Sequence, residues 1–134
     1  MNGHLRIAGA AFGITFADRP FLSNSNKALQ AAEFARDHGR FEALHSALLS
    51  AYFSQGLDIG NIEILGRIAQ EAGLDPDPLI SAVQTGTYLP RLEAAKEDAM
   101  LLGVTGVPAF FINRKKSVFG AQPLDVFRKA LRSA

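Results

Sequence analysis

The sequence predicts an α/β chain in which helices come first and a single β-hairpin follows late. Three observations carry this expectation. From Asn24 to Leu102 apolar residues recur at three- and four-residue intervals, interrupted by glycines and prolines. From Ala109 the period changes, and a continuously apolar run to Ile112 faces Ser117 to Phe119 across a polar turn. Finally, 134 residues with 48% hydrophobic content suffice for one domain with a real core and not for two comfortable ones.

The elements follow in order. The opening stretch, Met1 to Arg19, has a basic start and a mild apolar run. It has the outline of a weak secretory signal, although Gly9 and Gly13 interrupt it and a structured helix-to-strand segment accounts for it equally. Within it, Ile14-Thr15-Phe16 is a candidate strand. Asn24, Ser25 or Asn26 can cap a helix running toward His38, with Ala28, Ala31, Ala32 and Ala35 on one face and Gly39 as its stop. A second helix carries Phe41, Leu44, Leu48, Ala51 and Tyr52, closed by Gly56. A third carries Ile62, Leu65, Ile68, Ala69 and Ala72, ended by Gly73. Asp75-Pro76-Asp77-Pro78 reads as a cap and first turn, because proline lacks only an N–H that a helix start leaves unused. Leu79, Ile80 and Val83 form the apolar face of that helix, and Gly86 ends it. Thr87 is the expected cap of a long helix striped by Leu92, Ala95, Ala99 and Leu102, with Arg91, Glu93, Lys96 and Glu97 on its other side. After the hairpin, a last helix begins near Pro123. Leu124, Phe127 and Leu131 are expected to bury one side of it, and Lys129 and Arg132 suit the negative end of its dipole.

Composition narrows the function. A formal charge of +1 with 20% charged residues gives no electrostatic footprint for nucleic acid or for an anionic membrane surface. The densest basic cluster, Arg114-Lys115-Lys116, reads as a solvated hairpin tip. No run approaches the ~18 apolar residues of a membrane span. His4, His38 and His45 share no metal-ligand spacing, and no metal or cofactor is expected. There is no cysteine, so the chain can form no disulfide, thiolate metal site or cysteine nucleophile of its own. That absence fits a cytoplasmic domain.

The stretch "GVTGVPAFFIN", Gly103 to Asn113, is the densest local signal. A proline lacks the N–H a ladder needs and so belongs at a strand's start or edge. Two readings of the residues stand side by side. In one, the stretch is an ordinary helix-to-strand connection. In the other, it is a cis-proline loop that presents its backbone to a ligand.

A long helix, then Gly103, Val104, Gly106, Val107 and Pro108, a strand, a turn, a short strand, Gly120-Ala121-Gln122-Pro123 and a final amphipathic helix resemble the C-terminal half of DsbA-family thioredoxin-like proteins. The resemblance is to the FrnE-like branch of dithiol-disulfide oxidoreductases in particular. "AYFSQGLDIGN", "LGRIAQEAGLD" and "FLSNSNKALQAAEFARDHGRFEALHSALL" also resemble that branch's helical insertion, so the likeness covers nearly the whole chain. It implies an incomplete thioredoxin-like fold. Residues 1–86 would be mainly the helical insertion, and residues 87–134 the helix, cis-proline loop, hairpin and last helix, within one domain. It further implies a cis Val107–Pro108 bond and a substrate-binding loop of Thr105, Gly106, Val107 and Pro108, where the residue before the proline holds a peptide as an added β-strand.

The family's first strand, its C-x-x-C motif and its second strand have no counterpart in the sequence. Thiol–disulfide exchange needs a thiolate, and a serine cannot form the mixed disulfide. The resemblance therefore implies an N-terminally truncated oxidoreductase that is catalytically incomplete alone, with no catalytic residue of its own. A non-catalytic module binding a peptide or protein partner is the alternative. A relative of the glutathione-dependent isomerases, which use a serine, ranks last, because that serine lies in the N-terminal portion without a counterpart here and Gly120-Ala121-Gln122-Pro123 favours the FrnE-like branch; Ser23, Ser25 and Ser46 have capping or helix-surface roles. An isolated hairpin leaves an open edge and an exposed phenylalanine face. A symmetric homodimer is therefore expected, using the Phe110–Ile112 strand and the helix carrying Phe127.

Overall fold

A computed structural model describes residues 2–18 and 21–134. Met1 and Arg19, the ends of the signal-like opening stretch, lie outside the described residues. The chain folds as two compact units, residues 1–92 and 93–134. Its class is α/β, with seven α-helices, one π-helical turn and one antiparallel strand pair among the described residues.

The first unit is a helical bundle. Helix α1 (Asn2–Ala10) is followed by a turn and an extended segment that runs back along it, with Ile14 N–H donating to the Gly9 carbonyl at 2.9 Å. The strand expected at Ile14-Thr15-Phe16 does not form. Besides the Ile14 bond to Gly9, the segment is tied by Ala17 N–H donating to the Phe53 carbonyl at 2.8 Å. Phe53 lies in a helical turn, so no ladder can propagate from that bond.

Helix α2 (Asn26–Asp37) buries Ala28, Ala31, Ala32 and Ala35 as their spacing requires, together with Phe34. Asn24 Oδ1 accepts from Asn26 N–H at 2.9 Å, whereas Ser25, at the N-cap position, makes no side-chain cap bond. The helix stops at His38, whose ring stacks on Phe34 and whose Nδ1 donates to the Phe34 carbonyl at 2.8 Å. Gly39 then turns the chain at φ +69°, where a Cβ would strain.

Helix α3 (Phe41–Leu49) runs into a π-helical turn, Ser50–Ser54, which places Ala51 and Tyr52 in the core with Leu44 and Leu48. Helices α4 (Ile62–Glu71) and α5 (Pro76–Gln84) start at side-chain caps. Asn61 Oδ1 accepts from Glu63 and Ile64 N–H, and Asp75 Oδ1 accepts from Asp77 N–H. The two pack closely at Gly66, where a Cβ would sit 3.0 Å from Ile80 Cδ1. One continuous apolar cluster joins α2 to α5, with Leu44, Leu65 and Leu79 fully buried.

Helix α6 (Leu89–Leu101) differs from expectation twice. Its first turn closes on the Tyr88 carbonyl, which accepts from Leu92 N–H, while the Thr87 hydroxyl pairs with that of Thr85. Its stripe of Leu92, Ala95, Ala99 and Leu102 is not buried, since Leu92 and Ala99 are half-buried and Ala95 and Leu102 exposed.

The second unit contains the hairpin. Strand β1 (Ala109–Ile112) pairs antiparallel with β2 (Lys116–Phe119), opposing Phe110 to Val118 and Phe111 to Ser117. The turn between them holds both Asn113 (φ 52°) and Arg114 (φ 58°) in the left-handed region. Helix α7 (Leu124–Arg132) sets Phe127 edge-on to Phe110, ring centroids 4.8 Å apart. Phe111 and Phe119 meet on the opposite face at 6.4 Å. Leu124 and Leu131, expected to bury one side of α7, are 62% and 63% exposed, and Phe127 is half-buried. One strand pair is too narrow to cover a three-turn helix. Val118 is the one buried side chain among the described residues of this unit.

Candidate functional site

The loop between α6 and β1 is built by its ends. At the helix end, Gly103 N–H donates to the Met100 carbonyl at 3.1 Å and Val104 N–H to the Ala99 carbonyl at 3.0 Å. At the strand end, the Pro108 carbonyl accepts from Gly120 N–H at 2.7 Å, which extends the ladder one step beyond β1. Between these anchors, Thr105, Gly106 and Val107 stand with no backbone hydrogen bond to any described residue. The Val107–Pro108 peptide is cis. Val107 is 89% exposed, and Thr105, Gly106 and Pro108 are exposed as well. The four residues singled out from the sequence are thus neighbours in one solvent-facing loop whose polar backbone is free to pair.

The same unit carries an open groove of about 830 Å³ lined by apolar Leu101, Leu102 and Phe111 together with Asp98, Arg114, Lys115 and Lys116. The basic cluster read from the sequence as a solvated tip therefore shares a groove with apolar side chains. Lys116 belongs to β2, and its ammonium donates to the Ser133 hydroxyl at the end of α7.

In the first unit the structure shows a charged cluster with no local sequence signal. Arg91 donates from both terminal nitrogens to Asp37, at 3.0 and 3.2 Å, and from Nη1 to Glu33 at 3.1 Å. The Tyr88 hydroxyl donates to Asp37 Oδ2 at 2.9 Å. The Arg91 hydrogen bond, then that of Tyr88, holds the Asp37 carboxyl below the ordinary carboxylate range. Burial and the bond to Asp37 push the Tyr88 phenol up, and the Asp37 and Glu33 bonds raise Arg91 further. Every acidic group here is committed to a cation, so the cluster is a clamp fastening the start of α6 to α2.

Of the histidines, His38 stacks on Phe34 and His45 on Phe41. No three His, Cys, Asp or Glu side chains gather as a metal site among the described residues. Ser23 donates to Asp58 Oδ1 at 2.9 Å, and Ser46 lies exposed on α3. No described helix is long and apolar enough to cross a membrane.

Comparison with known proteins decides the family. Residues 1–132 match the DSBA-like thioredoxin domain. The chain belongs to the DsbA-like thioredoxin family. It is 32% identical over 105 residues to the uncharacterized protein YwbO of Bacillus subtilis, covering 78% of this chain and 52% of that protein. Among solved structures it resembles a probable DsbA oxidoreductase from Streptomyces coelicolor, with a TM-score of 0.86 and 31% identity. That match covers 98% of this chain and 57% of the other. The chain thus spans about half the length of the relatives it matches. A DsbA-like domain with no cysteine lacks the atom on which thiol exchange runs.

Proposed function

We propose that this chain is the substrate-holding part of a FrnE-like thiol-disulfide oxidoreductase, and that by itself it binds an extended peptide without exchanging disulfides. The observation that carries this reading is the bare backbone of Thr105, Gly106 and Val107 beside Pro108. An extended peptide laid along the loop satisfies those groups by main-chain hydrogen bonds, which recognise a strand and not a particular side chain. The FrnE-like assignment is supported by the pairing of GVTGVP with GAQP across the hairpin. Any sulfur chemistry must be brought by groups outside these residues, since exchange begins with a thiolate attacking a disulfide.

Two measurements on the purified chain test this together. Fluorescence anisotropy with a labelled, cysteine-free extended peptide should show saturable binding. The same peptide N-methylated at alternate residues, which removes its donors, should bind at least tenfold more weakly. Insulin reduction by dithiothreitol should proceed at the buffer rate in the presence of the chain. Equal binding of both peptides sinks the main-chain mode, and acceleration of insulin reduction sinks the division between holding and chemistry.

A further inference from the structure

The second unit is unfinished as a folding unit, and its geometry says what would finish it. Its 42 residues, 93–134, bury a single side chain, Val118. Meanwhile Phe110 is 42%, Phe111 41%, Leu124 62% and Leu131 63% exposed. With Val107 these expose about 500 Å² of apolar surface per chain, or about 1,000 Å² for two, which is near the lower bound for a specific protein interface.

The ladder also fixes which backbone groups are free. Gly120 N–H bonds to the Pro108 carbonyl, so alternation makes Phe110/Val118 and Ile112/Lys116 the hydrogen-bonded pairs. The N–H and C=O of Ala109 and Phe111 therefore point to the open edge of β1. Two donors and two acceptors on alternate residues, flanking Phe110, are self-complementary under a two-fold axis.

We propose that a second copy of this chain pairs with β1 edge to edge. Ala109 exchanges both hydrogen bonds with the partner's Phe111, Phe111 does so with the partner's Ala109, and Phe110 meets its own copy on the axis. The result is one four-stranded sheet, β2-β1-β1-β2. The two-fold stands perpendicular to that sheet, so both α7 helices lie on the same face, where Leu124 and Leu131 gain cover. The pairing is isologous and closes at two, which leaves no further β1 edge for aggregation.

The cysteine-free background makes the register directly readable. In this arrangement residue 110 and its copy form a non-hydrogen-bonded pair with Cβ atoms close enough for a disulfide, while the two residues at position 111 lie diagonally apart. Phe110→Cys should therefore oxidise in air to a dimer of twice 14.4 kDa, and Phe111→Cys should remain largely uncrosslinked. Light scattering of the unmodified chain at micromolar concentration should give the same doubled mass. Phe111→Pro, which deletes an N–H that makes no bond within the hairpin, should return a monomer with its helical circular dichroism intact.

A monomeric mass for the unmodified chain overturns the proposal, as does a dimer that Phe111→Pro leaves whole. Equal crosslinking at positions 110 and 111 overturns the register. A monomer that assembles only with a different strand-bearing polypeptide would also count against a second copy. The outcome is separable from the peptide-holding proposal, since peptide titration reads Val107 and disulfide trapping reads residue 110.

Discussion

Leu44→Ala tests whether the alanine-lined core of the first unit is as rigid as its packing implies. Leu44 is fully buried on α3, against the face of α2 that carries Ala28, Ala31 and Ala35. Removing three side-chain carbons forfeits about 2.4 kcal/mol of transfer free energy, at about 0.8 kcal/mol per buried carbon. A residual cavity adds about 24 cal/mol per Å³. The alanine methyls of the cluster cannot swing into the gap, so the space is refilled only as far as its larger members, such as Leu48, Leu65 and Leu79, can shift. A cavity of about 60 Å³ then adds about 1.5 kcal/mol, for a total loss of about 4 kcal/mol. Urea denaturation followed by circular dichroism at 222 nm measures this as a lower midpoint at unchanged slope. Leu22→Ala, at a position 89% exposed, is the control and should change stability by less than about 0.5 kcal/mol. A loss below about 1 kcal/mol for Leu44→Ala would show that α2 and α3 close up over the gap, and the rigid-wall argument would fail.

Two more expectations concern the turn and the clamp. Arg114 sits at φ 58° in the hairpin turn, where a Cβ costs about 1 kcal/mol, so Arg114→Gly should stabilise the hairpin and slow amide exchange at Phe110 and Val118 about fivefold; unchanged or faster exchange counts against turn strain. Asp37 has its folded pKa depressed, so its contribution is complete above the unfolded value near 4 and is lost as pH falls through the folded one. The stability gap between the parent chain and Asp37→Asn should therefore be widest near neutrality and narrow steadily below about pH 4, whereas a gap constant down to pH 2 would mean that the carboxylate's charge plays no part.

What could be read from the sequence was local. Asp75 announced its helix because a cap needs only a short polar side chain next to its own backbone, and the Asn61 cap of α4 went unread although the same rule would have found it. The alanine spacing of α2 and the change of period at Ala109 were equally self-contained, whereas the loop from Thr105 to Pro108 was singled out only through the resemblance, its residues alone leaving an ordinary helix-to-strand connection open. Long-range partnership was not legible. Arg91 looked like one more solvated charge on α6, yet it holds Glu33 and Asp37, 58 and 54 residues earlier, and no spacing rule links such positions. Ile14-Thr15-Phe16 has strand-like residues, but a strand needs a neighbour, and among the described residues the segment's backbone bonds go to the helical carbonyls of Gly9 and Phe53. The burial expected of Leu124 and Leu131 failed for a related reason. Amphipathic spacing states which face wants cover, and the second unit supplies only one narrow hairpin to cover it.

That shortfall bears on what a DsbA-like chain can do without a thiol. Recognition and exchange make separate demands on the polypeptide. Exchange needs one atom, a thiolate sulfur activated by its surroundings, and nothing in 134 residues substitutes for it. Recognition at the proline loop needs only main-chain groups held apart from other partners, which the anchors at Val104 and Pro108 supply whatever side chains stand between them. Because those groups belong to the backbone, they do not depend on a thiol within these residues. In the proposed dimer the edge of β1 follows the same logic, since it too would recruit by unpaired N–H and C=O groups and not by side-chain chemistry. These cysteine-free residues are thus expected to keep an affinity for strands. In the two proposals above, a peptide would meet that affinity at Thr105–Val107 and a second copy at Ala109–Phe111, on separate stretches of backbone.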